Sequence, residues 1–527
     1  MITRVAATLC LLSLFACQKS PSNESEEEER PNIVIIMADD MGYTDLGCFG
    51  SEINTPNINR LANDGLIMTQ FYNTGRCCPT RASLLTGLYQ HQAGIGHMVG
   101  DMGRPAYQGY LNQQSVTIAE VLKQAGYNTM MTGKWHVGSR PEHWPLKRGF
   151  DRFYGAPTGG GMYYYPFNGR KGRFIALDST QIELDSANFY STVAFNDYAV
   201  RFLEEQRNVA DPFFLYVAHI APHFPLMAPD SAIVKYRGKY RAGFEKIRQD
   251  RFQRAQELGI IPEEQTKSPP DSLVWVWDNL TPAQQDTMDL KMAIYAAQID
   301  IMDQGIGDII NKLEDMGELD NTVIMFLSDN GATREYIDRN SSPADTAAIG
   351  TRFSWASYTA SWANASNVPF RLYKSWVHEG GIATPFIVHY PQKIKQPRID
   401  RQVGHVVDLM ATCADLAQAN YPQQYQDQEI QPTEGISLVP VIQGGSISRT
   451  QPLFWEHMGN RAIRDGDWKL AAPGPNKDWE LYNMAEDRSE TQNLADQYPE
   501  RTEELAQKWQ TWADRVGVVP WDELANH

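Results

Sequence analysis

Three continuous apolar runs predict strands that are buried on both faces. They occupy residues 32–37, 212–218 and 323–327. Such strands lack an alternation of apolar and polar positions and are typical of parallel sheets. Before the third run, apolar residues recur on one helical face: Ile299, Met302, Ile306, Ile309, Ile310 and Leu313. Because strands alternate with helices, we expect an α/β fold.

The C-terminal part shows a different pattern of shorter strands. Glycine or proline residues separate four segments that predict an antiparallel sheet, namely 453–456, 461–464, 468–471 and 479–482. A helical pattern follows over 501–516. A stretch rich in Pro, Gln and Asp at 421–434 predicts a linker. We therefore divide the folded chain into a large domain, residues 31–430, and a C-terminal subdomain, residues 431–527.

Polar residues follow two of the apolar runs directly. Asp39 and Asp40 come after the first run, and Asp329 and Asn330 after the third. In α/β folds, ligands gather beyond the carboxyl ends of the strands. A set of oxygen ligands without cysteine or histidine favours Ca²⁺ or Mg²⁺ over zinc. The side chains of Asp39 and Asp40 would diverge in an extended strand, so both reach one ion only if the strand has ended in a turn.

Size and charge narrow the classes of function. The chain has 527 residues and a formal net charge of −17. This length predicts two or more structural domains. The excess of acidic over basic residues argues against a nucleic-acid partner, because binding of nucleic acid needs clusters of Lys and Arg. An acidic protein that handles an anion must concentrate positive charge locally, which directs attention to Lys, Arg and His within motifs.

The N-terminus predicts a signal peptide over residues 1–16. Arg4 precedes an apolar run that is too short to span a membrane as a mature helix. Residues 14–17 resemble a bacterial lipobox, which implies acylation of Cys17. Residues 17–30, rich in Ser and Glu, predict a disordered tether. We expect an exported protein, lipid-anchored to a bacterial membrane and facing the periplasm or the cell surface. An ordinary cleaved signal is the alternative.

The most informative motif begins at Cys77. The segment Cys77-Cys78-Pro79-Thr80-Arg81, followed by Thr86-Gly87, resembles the maturation signature of type I sulfatases, C-x-P-S/T-R with a trailing T-G. In that family a maturation enzyme oxidises the first cysteine to formylglycine, which makes Cys77 the modified residue. The alternative is a buried, inert cysteine pair. Cys48, Cys78 and Cys413 remain and form no disulfide framework.

Three further segments resemble motifs of the same family. Residues 126–136 resemble the second sulfatase signature and contain Lys134 and His136. Residues 222–226 resemble the P-H-x-P-L segment of arylsulfatases and contain His223. Residues 366–385 resemble the segment that carries the last sulfate-binding lysine, which would be Lys374. Arg371 remains the alternative at that position. His219 matches no family role and is interpreted as structural.

These motifs span residues 33–385 in the family's order, so the chain is similar to arylsulfatases of the alkaline-phosphatase superfamily. The resemblance implies an α/β fold with a large, mixed, mostly parallel sheet flanked by helices, and a smaller C-terminal α+β subdomain. It also implies a bound Ca²⁺, with Mg²⁺ as the alternative. The implied metal ligands are Asp39, Asp40, Asp329, Asn330 and the formylglycine at Cys77.

The resemblance further implies hydrolysis of sulfate esters through a covalent sulfo-formylglycine intermediate. Lys134, Lys374 and His223 would stabilise the sulfuryl oxygens, and His223 would protonate the leaving alcohol. Asp329 is the family's candidate base, and His136 would take a proton from the second hydroxyl. Arg81 would position the aldehyde and the metal ligands.

Two other functions stay open from the sequence. A phosphonate monoester or phosphodiester hydrolase would use the same formylglycine, and a non-catalytic lipoprotein would bind sulfated glycans. The expected substrate is a sulfated carbohydrate or an aryl sulfate. Candidate pocket residues are Tyr163 and His457, with Trp355 and Trp362 as further aromatics, and each fits core packing equally well.

Overall fold

The computed structural model describes residues 30–167, 172–337 and 348–524. Its centre is a ten-stranded sheet with the order β10-β2-β9-β8-β1-β7-β3-β4-β5-β6. The strands are β1 Asn32–Asp39, β2 Leu66–Tyr72, β3 Asn128–Lys134, β4 Arg152–Ala156, β5 Ala176–Leu177, β6 Thr180–Gln181, β7 Phe213–Pro222, β8 Thr322–Ser328, β9 Ala383–His389 and β10 Arg398–His405. The predicted signal peptide and Cys17 lie outside the described residues.

Most of this sheet is parallel. β1 pairs in parallel with β7 and β8, and β3 pairs in parallel with β7 and β4. β9 runs antiparallel to both β2 and β8, and β5 runs antiparallel to β4. The three apolar runs form β1, β7 and β8, which are adjacent and completely buried. The predicted α/β fold with a mixed, mostly parallel sheet is therefore confirmed.

Helices cover both faces of the sheet. One core cluster contains Val34, Ile36 and Ala38 of β1, and the other contains Ile33, Ile35 and Met37. The helices of the first face are α1 Pro56–Asn63, α4 Ser191–Gln206, α5 Asp230–Ile233, α6 Phe244–Glu257, α7 Pro282–Met316, α8 Thr359–Ser366 and α9 Glu379–Ile382. Those of the second face are α2 Cys77–Thr86, α3 Ile118–Gln124, α10 Asp408–Leu416 and α11 Val439–Ile442. A short hairpin, β11 Gln424–Tyr425 and β12 Gln428–Glu429, lies in the predicted linker.

The 35-residue helix α7 shows how local sequence sets an element. Thr281 and Gln284 form a capping box at its start, and Gly317 ends it with a backbone φ of 76°. The predicted apolar face from Ile299 to Leu313 is buried against the sheet and its neighbours.

The C-terminal subdomain contains a separate antiparallel sheet, as predicted. Its elements are β13 Leu453–His457, β14 Asn460–Asp465, β15 Trp468–Ala472, β16 Glu480–Asn483, α12 Pro499–Val516 and α13 Trp521–Leu524. The apolar face of α12 packs Leu505, Trp509 and Trp512 against this sheet. Within the described residues, no helix combines the length and the apolar character that crossing a bilayer requires.

A buried ion network joins the subdomain to the large domain. Lys469 of β15 donates to Oε1 of Glu379 over 2.9 Å and lies 2.8 Å from Oε1 of Glu490. Arg488 and the hydroxyl of Tyr72 both donate to Oε2 of Glu379. Because Tyr72 ends the strand that leads to Cys77, this network connects the C-terminal sheet with the backbone around the predicted nucleophile.

Candidate active site

Cys77 is the first residue of α2 and is buried. The chain leaves β2 at Tyr72 and turns through four residues before the helix begins. Thr80 stabilises this turn, because its Oγ1 accepts from the backbone N–H of Thr74 over 3.1 Å. The sulfur of Cys77 lies 3.7 Å from Nδ1 of His136. The start of α2 thus presents the side chain of residue 77 to the carboxyl edge of the sheet.

Asp39 and Asp40 both reach the site because the backbone changes direction between them. Asp39 is the last residue of β1, and Asp40 has a left-handed φ of 68°. Such a conformation costs roughly 1–2 kcal/mol in an ordinary residue and is tolerated best by Gly, Asn and Asp. Strand pairing has ended at this point, so the two adjacent carboxylates no longer point to opposite faces.

Arg81 organises the carboxylate that follows β8. Its Nε and Nη2 donate to Oδ2 of Asp329 over 3.1 and 2.7 Å. Its Nη1 donates to the carbonyl oxygen of Lys134 over 2.8 Å. These two hydrogen bonds to one oxygen fix the orientation of Asp329, whose other oxygen accepts from the backbone N–H of Asp40 over 3.3 Å.

Two buried lysines contact the two carboxylates after β1. Nζ of Lys134 donates to Oδ2 of Asp39, and Nζ of Lys374 donates to Oδ1 of Asp40, each over 2.6 Å. Burial lowers the pKa of both lysines, but the neighbouring carboxylates outweigh it and raise the pKa above its usual value. Both side chains therefore stay cationic at neutral pH.

Three oxygen atoms of the site have no hydrogen-bond partner among the described residues. They are Oδ1 of Asp39, Oδ2 of Asp40 and Oδ1 of Asn330. Buried acceptors of this kind are costly unless something binds them. Asn330 is oriented by its Nδ2, which donates to Oδ1 of Asp40 over 2.7 Å. Carboxylate and amide oxygens suit a hard cation, so the residues present fit Ca²⁺ or Mg²⁺.

The buried carboxylates of Asp39 and Asp329 have opposite pKa shifts. Burial raises the pKa of Asp39, but Lys134, His223 and Arg81 outweigh it and bring the value to about 2. Burial and the charge of Asp39 raise the pKa of Asp329 to about 8, although Arg81 opposes them. Clustered carboxylates repel each other unless cations compensate, which is a second reason for a cation at this site.

The histidines of the site are held in neutral forms. Burial and the charge of Lys134 lower the pKa of His136 to about 4. Burial also lowers the pKa of His223 against the opposing effect of Asp40. Nδ1 of His223 contacts the carbonyl oxygen of Phe224 and therefore carries its proton, since a carbonyl oxygen only accepts. Its Nε2 lies 3.5 Å from Oδ2 of Asp40.

Lys134 and His136 reach the site by way of a change in backbone direction and not along one extended segment. β3 ends at Lys134, and His136 has a left-handed φ of 58°. Gly159 packs against its ring, where a Cβ would lie 2.7 Å from Nε2 of His136 and 2.6 Å from Arg173. Residue 159 itself has a φ of +114°, so only glycine fits without strain. Tertiary packing, not strand alternation, brings the two side chains together.

The aromatic pocket candidates occupy different environments. Tyr163 is buried, and its hydroxyl donates to the carbonyl oxygen of His223 over 2.7 Å, so it supports the turn that carries this histidine. His457 is buried and stacks on His97 at 5.3 Å. Trp362 is buried in the core, and its Nε1 donates to Met288. Trp355 is half-buried and meets the edge of Phe224.

The sequence alone does not indicate a role at the site for two of its neighbours, Arg76 and His219. Arg76 immediately precedes Cys77, and its Nη1 donates to Oγ of Ser375. His219, interpreted as structural, accepts a 3.5 Å hydrogen bond from Arg81 through its carbonyl, and neither of its ring nitrogens has a partner among the described residues. The position of Arg76 beside the motif is the only feature that could have indicated it.

Comparisons with known proteins agree with this geometry. The family described as Sulfatase matches residues 31–419, and the family described as N-sulphoglucosamine sulphohydrolase, C-terminal, matches residues 370–514. An uncharacterized sulfatase of Schizosaccharomyces pombe is 34% identical over 94% of this chain and 96% of its own length. An arylsulfatase of Klebsiella aerogenes is 35% identical over 78% of this chain and 92% of its own.

Among solved structures, Ps i-CgsB in complex with k-i-k-neocarrahexaose is similar to this fold. Its TM-score is 0.68 at 25% identity, with 92% of this chain and 93% of that chain covered. The family match covers more than half of the sequence and includes every strand of the central sheet. The chain belongs to the sulfatase family and is a sulfuric ester hydrolase.

Proposed function

We propose that this protein hydrolyses sulfate esters of carbohydrates, with a formylglycine formed from Cys77 as its nucleophile and Ca²⁺ as its metal. The observation that carries the proposal is the convergence at one sheet edge of the buried Cys77, three carboxylates and two lysines. Oxygens of Asp39 and Asp329 and the sulfur of Cys77 lie within 4.8 Å of one another.

The chain would hold the cation through Asp39, Asp40, Asp329 and Asn330, with residue 77 completing the set. When bound, Ca²⁺, or Mg²⁺ as the alternative, supplies positive charge to the sulfuryl oxygens and lowers the pKa of a coordinated hydroxyl. A hydrated formylglycine supplies that hydroxyl as the nucleophile. Arg81 keeps Asp329 oriented toward this position through its two hydrogen bonds to Oδ2.

Lys134 and Lys374 bind the sulfate group in this proposal. Each ammonium group is already held at the site by a carboxylate and is buried, so little reorganisation is needed when an anion arrives. When a cation is bound and all three carboxylates are ionised, the positive charges of Arg81, Lys134 and Lys374 balance the negative charges of the carboxylates. A divalent cation then leaves the site positive, as an anionic sulfate ester requires.

His136 and His223 move the protons. Nδ1 of His136 lies nearest to residue 77, and the low pKa favours the neutral ring, which in its Nε2-protonated tautomer accepts a proton at Nδ1 from a hydroxyl there. Nδ1 of His223 donates to Phe224, so Nε2 must first take up a proton, which the charge of Asp40 at 3.5 Å favours, and it then delivers this proton to the leaving alcohol. The two rings thus serve opposite ends of the reacting group.

A carbohydrate substrate is supported by two observations. The similar Ps i-CgsB was solved with k-i-k-neocarrahexaose, a saccharide. In this chain, Lys374 lines a cavity of about 500 Å³, a volume that holds one or two sugar rings.

The test combines mass spectrometry and kinetics on protein produced with a formylglycine-generating maturation enzyme. A Cys77 peptide lighter by about 18 Da, together with release of sulfate from 4-nitrophenyl sulfate and from sulfated galactose, is expected. Modified protein that cleaves phosphonate monoesters faster than sulfate esters with the same leaving group would overturn the proposal.

We also propose export and lipid anchoring at Cys17. The support is the sequence of residues 14–17 and the acidic tether that follows. In a bacterium with lipoprotein processing, the wild-type chain should incorporate labelled fatty acid, whereas Cys17→Ala should not. Equal labelling of both chains would contradict this assignment.

A further inference from the structure

A cavity beside Lys374 is lined by further charged and aromatic side chains that the proposed mechanism does not use. It encloses about 500 Å³ and lies between the α2 N-terminus, the segment after β8, the loop before α9 and the β13–β14 hairpin. Its wall includes Arg76, Arg334, Glu335, Tyr336, Lys374 and Trp376. Because Lys374 lines the cavity and also contacts Asp40, the cavity adjoins the proposed sulfate-binding site.

Arg76 brings a positive charge to the inner end of this cavity. Nη1 donates to Oγ of Ser375, which is the residue after Lys374. Nε is buried and has no hydrogen-bond partner among the described residues. No carboxylate in the described part of the chain forms an ion pair with this guanidinium. Arg76 is therefore a preorganised donor whose charge is uncompensated.

Arg334 brings a second charge to the same wall. Its guanidinium carbon lies 4.5 Å from the centre of the Trp376 ring, and stacking of this kind holds the planar group in place. The side chain is exposed, and it forms no ion pair with a carboxylate in the described ranges. Glu335 is the one acidic residue among the described residues of the wall, so positive charge prevails among them even without Lys374, whose charge Asp40 balances.

We infer that this cavity is a second anion subsite, in which Arg76 and Arg334 bind a further sulfate or carboxylate of the glycan that carries the scissile ester. A guanidinium matches the geometry of both anions through paired N–H donors. The largely exposed ring of Tyr336 offers an aromatic face to the sugar itself. The inference rests on the proposed function and narrows its substrate class to glycans with two or more negative charges.

Binding measurements test the subsite independently of turnover. The full chain with Cys77→Ala is titrated calorimetrically, in the presence of Ca²⁺, with galactose 6-sulfate, galactose 2,6-disulfate and a disaccharide of galactose 6-sulfate and glucuronic acid. We expect at least one of the two dianionic probes to bind about 10-fold more tightly than the monosulfate. The probe that gains identifies the second anion as sulfate or as carboxylate.

Variants of the two arginines test whether these side chains cause the tighter binding of the dianionic probes. Arg334→Ala, and separately Arg76→Ala, should bring the affinities for mono- and dianionic probes to within about 2-fold of each other. Arg201→Ala is the matched control, because it removes an exposed arginine from α4, which contributes nothing to the cavity. Equal affinities of the parent for all three probes, or an undiminished gain in both arginine variants, would overturn the subsite.

Failure of the subsite is distinguishable from failure of the proposed function. Matured wild-type protein that hydrolyses 4-nitrophenyl sulfate, combined with equal binding of all probes, overturns only the subsite. Matured protein that hydrolyses no sulfate ester overturns the proposed function, whereas the binding titration still reports on the two arginines.

Discussion

Lys374 and Asp40 are 334 positions apart in the chain, and Nζ of the lysine donates to Oδ1 of the aspartate over 2.6 Å. Lys374 lies in the loop between α8 and α9, and Asp40 follows β1. The pair holds a cation and a candidate metal ligand in one buried cluster. Arg371, the alternative to Lys374 in the sequence, instead donates to the hydroxyl of Tyr482 and the carbonyl oxygen of Glu490.

Lys374→Ala should lower kcat/KM for an aryl sulfate by about 100-fold or more, since removal of one charge-stabilising donor typically costs 10²–10³ in rate. Arg371→Ala is the matched control and should stay within about 3-fold of wild type, because its guanidinium faces the C-terminal subdomain. Steady-state kinetics on matured protein measure both. A larger loss of kcat/KM in Arg371→Ala than in Lys374→Ala would mean that Arg371, and not Lys374, binds the sulfate group.

Cys77→Ser should bind a sulfated sugar but show no sustained turnover. A serine lacks the second hydroxyl of the aldehyde hydrate and cannot expel sulfate in the same way. Cys78→Ala is the comparison, because Cys78 is buried in the core and occupies the variable position of the motif. This variant should retain the loss of about 18 Da at residue 77 and most of the activity. Sustained hydrolysis by Cys77→Ser would refute the mechanism.

Removal of divalent cations should lower the melting temperature. Without a cation, the buried oxygens of Asp39, Asp40 and Asn330 have no partner among the described residues, and the carboxylates repel each other. A cation present at 100 times its Kd raises the free energy of unfolding by about 2.7 kcal/mol. We therefore expect the melting temperature to fall by a few degrees on chelation. Scanning calorimetry with EGTA, followed by addition of Ca²⁺ or Mg²⁺, measures it. Asn330→Ala should need more cation for the same stabilisation, and an unchanged melting temperature would argue against a metal.

Glu379→Gln should destabilise the protein at neutral pH, because Lys469 and Arg488 lose their buried partner. Burial raises the pKa of Glu379, but Lys469, Arg488 and Arg464 outweigh it and lower the value to about 2. A carboxylate whose pKa is lowered on folding stabilises the fold above its ordinary pKa of 4.5, and that contribution disappears as the pH falls toward 2. It amounts to about 3 kcal/mol.

Urea unfolding at pH 7 and at pH 3 checks this prediction. The difference between wild type and Glu379→Gln should narrow at the lower pH, because Glu379 is then protonated in the unfolded chain, where its pKa is 4.5, while the folded carboxylate stays mostly ionised. Glu257→Gln, which removes an exposed carboxylate at the end of α6, should change the free energy of unfolding by less than about 0.5 kcal/mol. A difference that is the same at both pH values would mean that the charge of Glu379 is not what stabilises the network.

Much of the central sheet could be predicted because its strands are buried on both faces. Continuous apolar runs identify β1, β7 and β8, and the polar residues after β1 and β8 indicate the functional edge. The strand order that makes β1, β7 and β8 neighbours was not predictable. All three apolar runs look alike, and the choice of partner strands depends on packing by distant helices. The sequence indicated that Asp39 and Asp40 reach one ion only if β1 ends in a turn. The left-handed backbone of Asp40 that makes this turn is visible only in the folded chain.

By itself, the sequence determined the fold class, the C-terminal antiparallel sheet and the family motif around Cys77. Each of these depends on patterns within contiguous stretches of residues. Only the tertiary structure decided that Lys374 rather than Arg371 contacts Asp40, that Tyr163 supports the turn of His223, and that Arg76 and Arg334 share one cavity. The physical reason is that these relationships join residues on separate elements. Their distances depend on how the helices and the C-terminal subdomain pack against the sheet, which no local pattern encodes.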